Sequence, residues 1–209
     1  MEQRATRWRR RKEARPDEIL AAALESFAAR GFAASRLEDV AARAGVSKGT
    51  LYLYFKSKEE LFEAVVRATL LPNLARVETL ASSFEGPSRD LLQRLLLTIA
   101  GVVGSEVGAL PKIVIAEAGN FPELARFYLD EVVRRGLRLI GAILRRGIER
   151  GEFRAIDVDH AVFCVIAPML LAALWKNSLE PHDQAPLEMD ALVRAHLDLL
   201  LRGLEPHRP

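Results

Sequence analysis

The 209-residue chain has one cysteine, Cys164, so it can close no disulfide within itself. Its 4 histidines show no zinc spacing. It contains no Gly-x-Ser-x-Gly, P-loop, dinucleotide fingerprint or His-Glu-x-x-His. Lys48-Gly49-Thr50 lacks the upstream glycine loop that a phosphate cradle needs. These absences argue against an enzyme and imply neither cofactor nor metal. His160 and Cys164, at i and i+4 near Asp157 and Asp159, read better as a capped helix start with a buried thiol than as metal ligands.

Long apolar runs are also missing. The longest nearly uncharged stretch, Ala161 to Trp175, has 15 residues and contains Pro168. A spanning helix needs about 20, so the stretch reads as a buried helix, not a membrane anchor. The N-terminus carries charge with no apolar segment behind it, unlike a signal peptide. Together with the lone cysteine, this predicts a reducing cytoplasm. Aromatic residues are only 7 % against 50 % hydrophobic, with Leu, Ala, Arg and Glu abundant, which favours an all-α protein.

Charge is scarce in net terms, +2, but it is unevenly placed. Residues 1–58 hold 13 Lys and Arg against 7 Asp and Glu, whereas the remainder holds 17 against 21. A basic head on a mildly acidic body suits nucleic-acid contact at one end. Arg4, Arg7, Arg9, Arg10, Arg11, Lys12 and Arg15 make residues 1–15 a flexible basic arm by composition, either following phosphates or simply solvated.

The most informative stretch is Ser35 to Lys58. Ser35 and Glu38 have capping-box spacing, and Leu37, Val40, Ala41 and Ala44 then form one apolar stripe. Gly45 supplies a left-handed turn, and Ser47 caps a second helix that turns Leu51 and Phe55 inward. Lys48, Gly49, Thr50 and Tyr52 are left on the outer side. This is a helix-turn-helix whose second helix presents donors at its N-terminal turn, suited to a major groove.

Residues 16–62 resemble the N-terminal domain of the tetracycline-repressor (TetR) family of bacterial regulators. The resemblance rests on Ile19–Phe27, Gly31-Phe32, Leu37–Val46, Ser47-Lys48-Gly49-Thr50-Leu51-Tyr52 and Tyr54–Phe62. Arg36 and Leu53 depart from the family pattern, at positions that bear on phosphate contacts or operator preference. By motif position the resemblance implies that Lys48, Gly49, Thr50 and Tyr52, behind the Ser47 cap, read or flank base edges. Ser35, Arg36, Tyr54 and Lys58 are implied to pin phosphates.

The implied organisation is a basic arm (1–15), a three-helix DNA-binding domain (16–58), a connecting helix (59–85) and a larger helical ligand-binding and dimerisation domain (86–205). Pro16 suits a first helical position, and Ser57 with Glu60 opens the connecting helix through a second capping box. Pro72 either kinks that helix or ends it. Gly136, Gly141 and Gly147 fall inside a later helix, where close approach of neighbours would offset their cost.

The segment Glu117 to Ala125 resembles the C-terminal domain of one TetR subgroup, which implies a ligand-receiving, dimerising domain. Ile99, Val103, Glu106, Glu117, Phe121, Leu124, Tyr128 and Phe163 are the pocket candidates. Two apolar helices near the C-terminus, 157–178 and 187–203, exceed what so short a chain can cover and predict a homodimer with a four-helix interface. The expected function is a transcriptional regulator of a palindromic operator, a repressor released by a small hydrophobic effector. The alternative is a ligand-independent DNA-organising or adaptor protein of the same fold.

Overall fold

The computed structural model describes residues 2–206, with side chains from residue 16 onward. Every regular element among the described residues is helical. The N-terminal unit consists of α1 (Glu2–Arg30), α2 (Leu37–Arg43), α3 (Lys48–Tyr54) and α4 (Lys58–Thr69). The remainder comprises α5 (Leu71–Ser83), α6 (Ser88–Val103), α7 (Leu110–Glu117), α8 (Pro122–Tyr128), α9 (Arg134–Glu149), α10 (Val158–Ser178) and α11 (Met189–Leu204). A π turn, Leu129–Val133, joins α8 to α9 in one continuous rod.

Several expectations are corrected. The backbone of residues 2–15 continues α1 where composition predicts a flexible arm, since Ala, Arg, Glu and Lys are good helix formers and no glycine or proline falls between residues 2 and 15. Pro16 therefore lies inside α1, not at its start. The basic side chains of the arm lie outside the described residues. The first capping box does not form: Arg36 occupies the N-cap of α2 without a side-chain bond. Ser35 is buried instead, donating to the Gly31 carbonyl at 2.7 Å. Gly31, at φ 80°, makes the tight exit from α1 that brings Ser35 back underneath it. The second box forms with a shift, as Ser57 Oγ accepts from the Glu60 amide and Glu60 reaches the Lys56 amide.

Pro72 ends one helix and opens the next. α4 stops at Thr69, and Pro72 sits in the first turn of α5, where a missing N–H costs nothing. The Asn73 side chain donates to the Thr69 carbonyl at 3.1 Å, satisfying an acceptor at the break. The expected single connecting helix is thus two. Gly147 is explained by packing, because a Cβ there would collide with the Phe153 ring.

α10 runs Val158–Ser178 behind the Asp157 cap, close to the expected 157–178, and so extends beyond the apolar run at both ends. Its 21 residues suffice in length and composition to cross a membrane. Val162, Val165, Met169, Ala172 and Ala173 bury one side of it, while Phe163, Leu170 and Leu171 remain exposed at 57 %, 37 % and 63 %. It is half-covered, where the apolar run alone reads as a buried helix, and the uncovered side is apolar surface of the kind expected of the 157–178 helix.

Two main cores organise the chain. One joins α5, α6, α9, α10 and α11 through Leu92, Leu96, Ile140 and Leu144. The other is built on Phe27, Phe32 and Phe62, whose ring centroids lie 5.5 to 5.7 Å apart. This second core does not stop at α4. It continues into Leu110, Ile113 and Val114 of α7 and Leu124 and Tyr128 of α8, so the N-terminal unit and the C-terminal half share one hydrophobic interior.

Candidate DNA interface and a linked apolar cavity

α3 stands on the surface because only Leu51 of its side chains is fully buried. Ser47 Oγ accepts from the Thr50 amide at 3.1 Å and lies 2.9 Å from the Thr50 hydroxyl, fixing the helix entry. Gly45, at φ 66°, sets the angle between α2 and α3. Lys48, Gly49 and Tyr52 are exposed, Thr50 and Tyr54 are half-buried, and Arg36 is exposed at the start of α2. Leu53, 84 % exposed, adds an apolar side chain to this surface that the base-edge candidates omitted.

Lys48 is not idle. Its Nζ lies 2.5 Å from Glu38 Oε1, tying the first residue of α3 to the first turn of α2. That hydrogen bond holds the Glu38 carboxyl below the usual carboxylate range and raises Lys48 in turn. Both groups are solvent-exposed, so the link can be exchanged for another anion.

Two of the phosphate candidates are otherwise engaged. Ser35 is 3 % exposed and its hydroxyl bonds within the α1–α2 junction. Lys58 Nζ donates to the carbonyls of Phe32, Ala33 and Ser35 at 2.7, 3.0 and 3.2 Å and sits over the Phe32 ring at 4.5 Å. A lysine at the start of α4 thereby caps the loop entering the helix-turn-helix. No spacing pattern signals a carbonyl-capping lysine, and the phosphate role of Lys58 is implied by the family resemblance alone.

The same loop is gripped from the other side. Glu117, at the end of α7, accepts the Ala33 amide at 2.9 Å, and Phe121 meets Phe32 edge-on with centroids 4.8 Å apart. Glu117, Phe121 and the buried Leu124 therefore belong to the contact between the two halves, not to a pocket wall. Glu106 is exposed on a 3-10 turn and is not in the lining of the apolar cavity.

The pocket itself lies beside that contact. A cavity of about 530 Å³ opens between α5, α6, α7, the α8–α9 rod and α10. Of the sequence candidates, Ile99, Val103, Tyr128 and Phe163 line it, and Asn73, Val114 and Gly136, which are not among them, line it too. Val114 and Tyr128 are shared with the core of the helix-turn-helix unit.

Residues 19–65 match the model of the bacterial regulatory proteins of the tetR family. Residues 85–195, more than half the chain, match the tetracyclin repressor-like C-terminal domain. The chain belongs to the TetR family. It is a helix-turn-helix transcriptional regulator, of a family of DNA-binding proteins rather than enzymes. It is 29 % identical over 200 residues to the transcriptional repressor KstR2 of Rhodococcus jostii, covering 94 % of each chain. It is 31 % identical to the regulator RutR of Escherichia coli, covering 86 % of this chain and 78 % of that one. The structure of the ketosteroid transcriptional regulator KstR2 of Mycobacterium tuberculosis superposes with a TM-score of 0.74 at 27 % identity, covering 92 % and 96 %. FadR of Bacillus subtilis, solved with stearoyl-CoA, shares the fold at a TM-score of 0.69 and 24 % identity, covering 90 % and 98 %.

Proposed function

We propose that this TetR-family regulator is a dimeric repressor that holds a palindromic operator and releases it when a small hydrophobic molecule enters the cavity. The continuous core from the cavity wall to the helix-turn-helix carries this reading. A ligand that repacks Val114 or Tyr128 acts on the same interior that seats Phe32 and Phe62. Packed cores have discrete arrangements and do not deform continuously, so a shift at the wall reaches the DNA-binding unit. The ligand must favour the released arrangement, since equal affinity for both shifts nothing.

In this reading Lys48, Gly49, Thr50 and Tyr52 enter the major groove behind the Ser47 cap, and Arg36 and Tyr54 flank it on phosphates. The Glu38–Lys48 link opens as Lys48 turns to DNA. The exposed stripe of Phe163, Leu170 and Leu171 on α10 supports pairing with α10 of a second copy, which sets two α3 helices on successive major-groove faces about 34–36 Å apart. Operator binding places the regulator in the bacterial cytoplasm with the chromosome. KstR2 is described as a ketosteroid regulator, and that relative supports a hydrophobic effector here.

The test is to recover bound genomic fragments, take the operator from them, and titrate the complex with hydrophobic effectors. Release by at least one of them, with two protomers per operator, is the expected result. A complex that never lets go would support a ligand-independent DNA-organising role instead.

A further inference from the structure

The cavity wall is mainly apolar, and none of its side chains carries a charge. Three polar side chains reach it: Asn73, Thr98 and Tyr128. The Thr98 hydroxyl is spent on the Arg94 carbonyl of its own helix at 2.9 Å. One N–H of the half-buried Asn73 amide is spent on the Thr69 carbonyl at 3.1 Å, leaving one N–H and the amide oxygen, a pair that suits a neutral polar group. Gly108 and Pro111, which line the cavity at the start of α7, add no donor. The Gly108 amide bonds Ser105 at 3.0 Å, the Leu110 amide bonds Val107, and Pro111 has none.

Tyr128 differs. It is 8 % exposed, and its hydroxyl makes no hydrogen bond to a protein group among the described residues. Burial is the only influence on its phenol, which it pushes well above the ordinary value, so the group stays a neutral donor. Buried tyrosine hydroxyls normally find a partner, and the space beside this one is the cavity.

Resting on the reading of the cavity as the effector site, we infer that its ligand is an uncharged, mainly hydrocarbon molecule bearing a carbonyl that accepts a hydrogen bond from the Tyr128 hydroxyl. A carboxylate inside would meet no cation and at most two neutral donors, the Tyr128 hydroxyl and one Asn73 N–H, too few to offset its desolvation. An ionised group on the ligand must stay outside the mouth. The volume of about 530 Å³ lies within the range of about 300–1,000 Å³ usual for small-molecule sites.

The experiment titrates the full-length protein by calorimetry at pH 8 with a long-chain methyl ketone and a fused-ring ketone, each beside the carboxylic acid of the same skeleton. At least one ketone is expected to bind about tenfold or more tighter than its acid. Tyr128→Phe keeps the ring and is expected to weaken that ketone about tenfold while leaving the acid unchanged. Gly136→Leu puts bulk where a Cβ meets nothing within 4 Å and is expected to abolish binding of both. If acids bind as tightly as ketones, or Tyr128→Phe has no effect on a ketone that Gly136→Leu excludes, the ligand class is overturned and the cavity reading stands. If no compound binds, or Gly136→Leu changes nothing, the cavity is not the effector site and both readings fall.

Discussion

Glu117 Oε1 accepts the backbone amide of Ala33 at 2.9 Å, a bond that spans 84 residues of sequence. It joins the end of a cavity-lining helix to the loop that enters the helix-turn-helix. The contact is single, directional and partly exposed, so it adds little to stability, of order 1 kcal/mol. Its value lies in orientation, because it sets where α2 begins relative to α7.

Replacing Glu117 by Ala should therefore separate stability from coupling. The melting temperature is expected to fall by a few degrees at most, and operator affinity without effector to change severalfold. The ratio of operator dissociation constants with and without effector, which measures the coupling free energy directly, is expected to shrink toward one. A ratio equal to that of the parent protein would show that the switch bypasses this bond.

Lys58 poses a different question, since its charge serves the fold. Three carbonyls and the Phe32 face surround its Nζ, and a Lys58→Met variant leaves those carbonyls without their donor. Denaturant unfolding should register a loss of about 2 kcal/mol. The slope of log affinity against log salt should stay as it was, because no phosphate contact is removed. A slope flattened by about one unit would restore Lys58 to the DNA surface.

Lys58 also shows what was legible in the chain. The helix-turn-helix could be read because caps, glycine turn and apolar stripe are local, each determined within a few residues: Gly45 and Ser47 behave as their chemistry requires. The Lys58 and Glu117 contacts could not, because both pair a side chain with backbone far away in sequence, and backbone carbonyls and amides leave no trace in residue identity. Ser35 failed for a related reason. Its hydroxyl had two local uses, and burial under α1, a tertiary fact, chose the carbonyl of Gly31 over the start of α2. The pocket was half legible. Ile99 and Val103 face inward by helical period, whereas which buried residues of α8 reach the cavity as well as the shared core (Tyr128) and which reach the core alone (Leu124) depends on where α7 lies.

At the DNA surface, Lys48 should act as a phosphate or base-edge charge. Lys48→Ala is expected to lower operator affinity and reduce the salt slope by about one unit. Glu38→Gln tests the exchange of partners: without the carboxylate, Lys48 gives up nothing on meeting DNA. Affinity should rise severalfold for operator and unrelated duplexes alike, as measured by anisotropy titration across a salt series. Selective gain for the operator alone would mean that Glu38 positions Lys48 for reading bases.

On α10, Leu171 is 63 % exposed beside the exposed Phe163 and Leu170 and lines no cavity. Leu171→Glu places a charge in the middle of the proposed α10 pairing and should convert a dimer to monomers in sedimentation velocity. Two charges facing each other across a two-fold axis, both desolvated, have no partner. Helix content by circular dichroism should be unchanged, and palindrome binding should fall to the level of a half-site. A dimer that survives the substitution would move the interface elsewhere.

Tyr128 makes stability depend on alkaline pH. Burial raises its phenol in the folded protein well above the ordinary value of 10.0. Below about pH 10 both folded and unfolded chains keep the proton, so the group adds no pH dependence. Above that, the unfolded chain releases its proton while the folded chain retains it, and stability falls by up to about 1.4 kcal/mol per pH unit until the folded phenol itself ionises. Tyr128→Phe has no proton to lose, and its unfolding free energy should decline less steeply between pH 10 and 11.5 than that of the parent. Equal slopes would mean that the hydroxyl already ionises in the folded state, through water in the cavity, and would remove the neutral donor on which selection of an uncharged ligand depends.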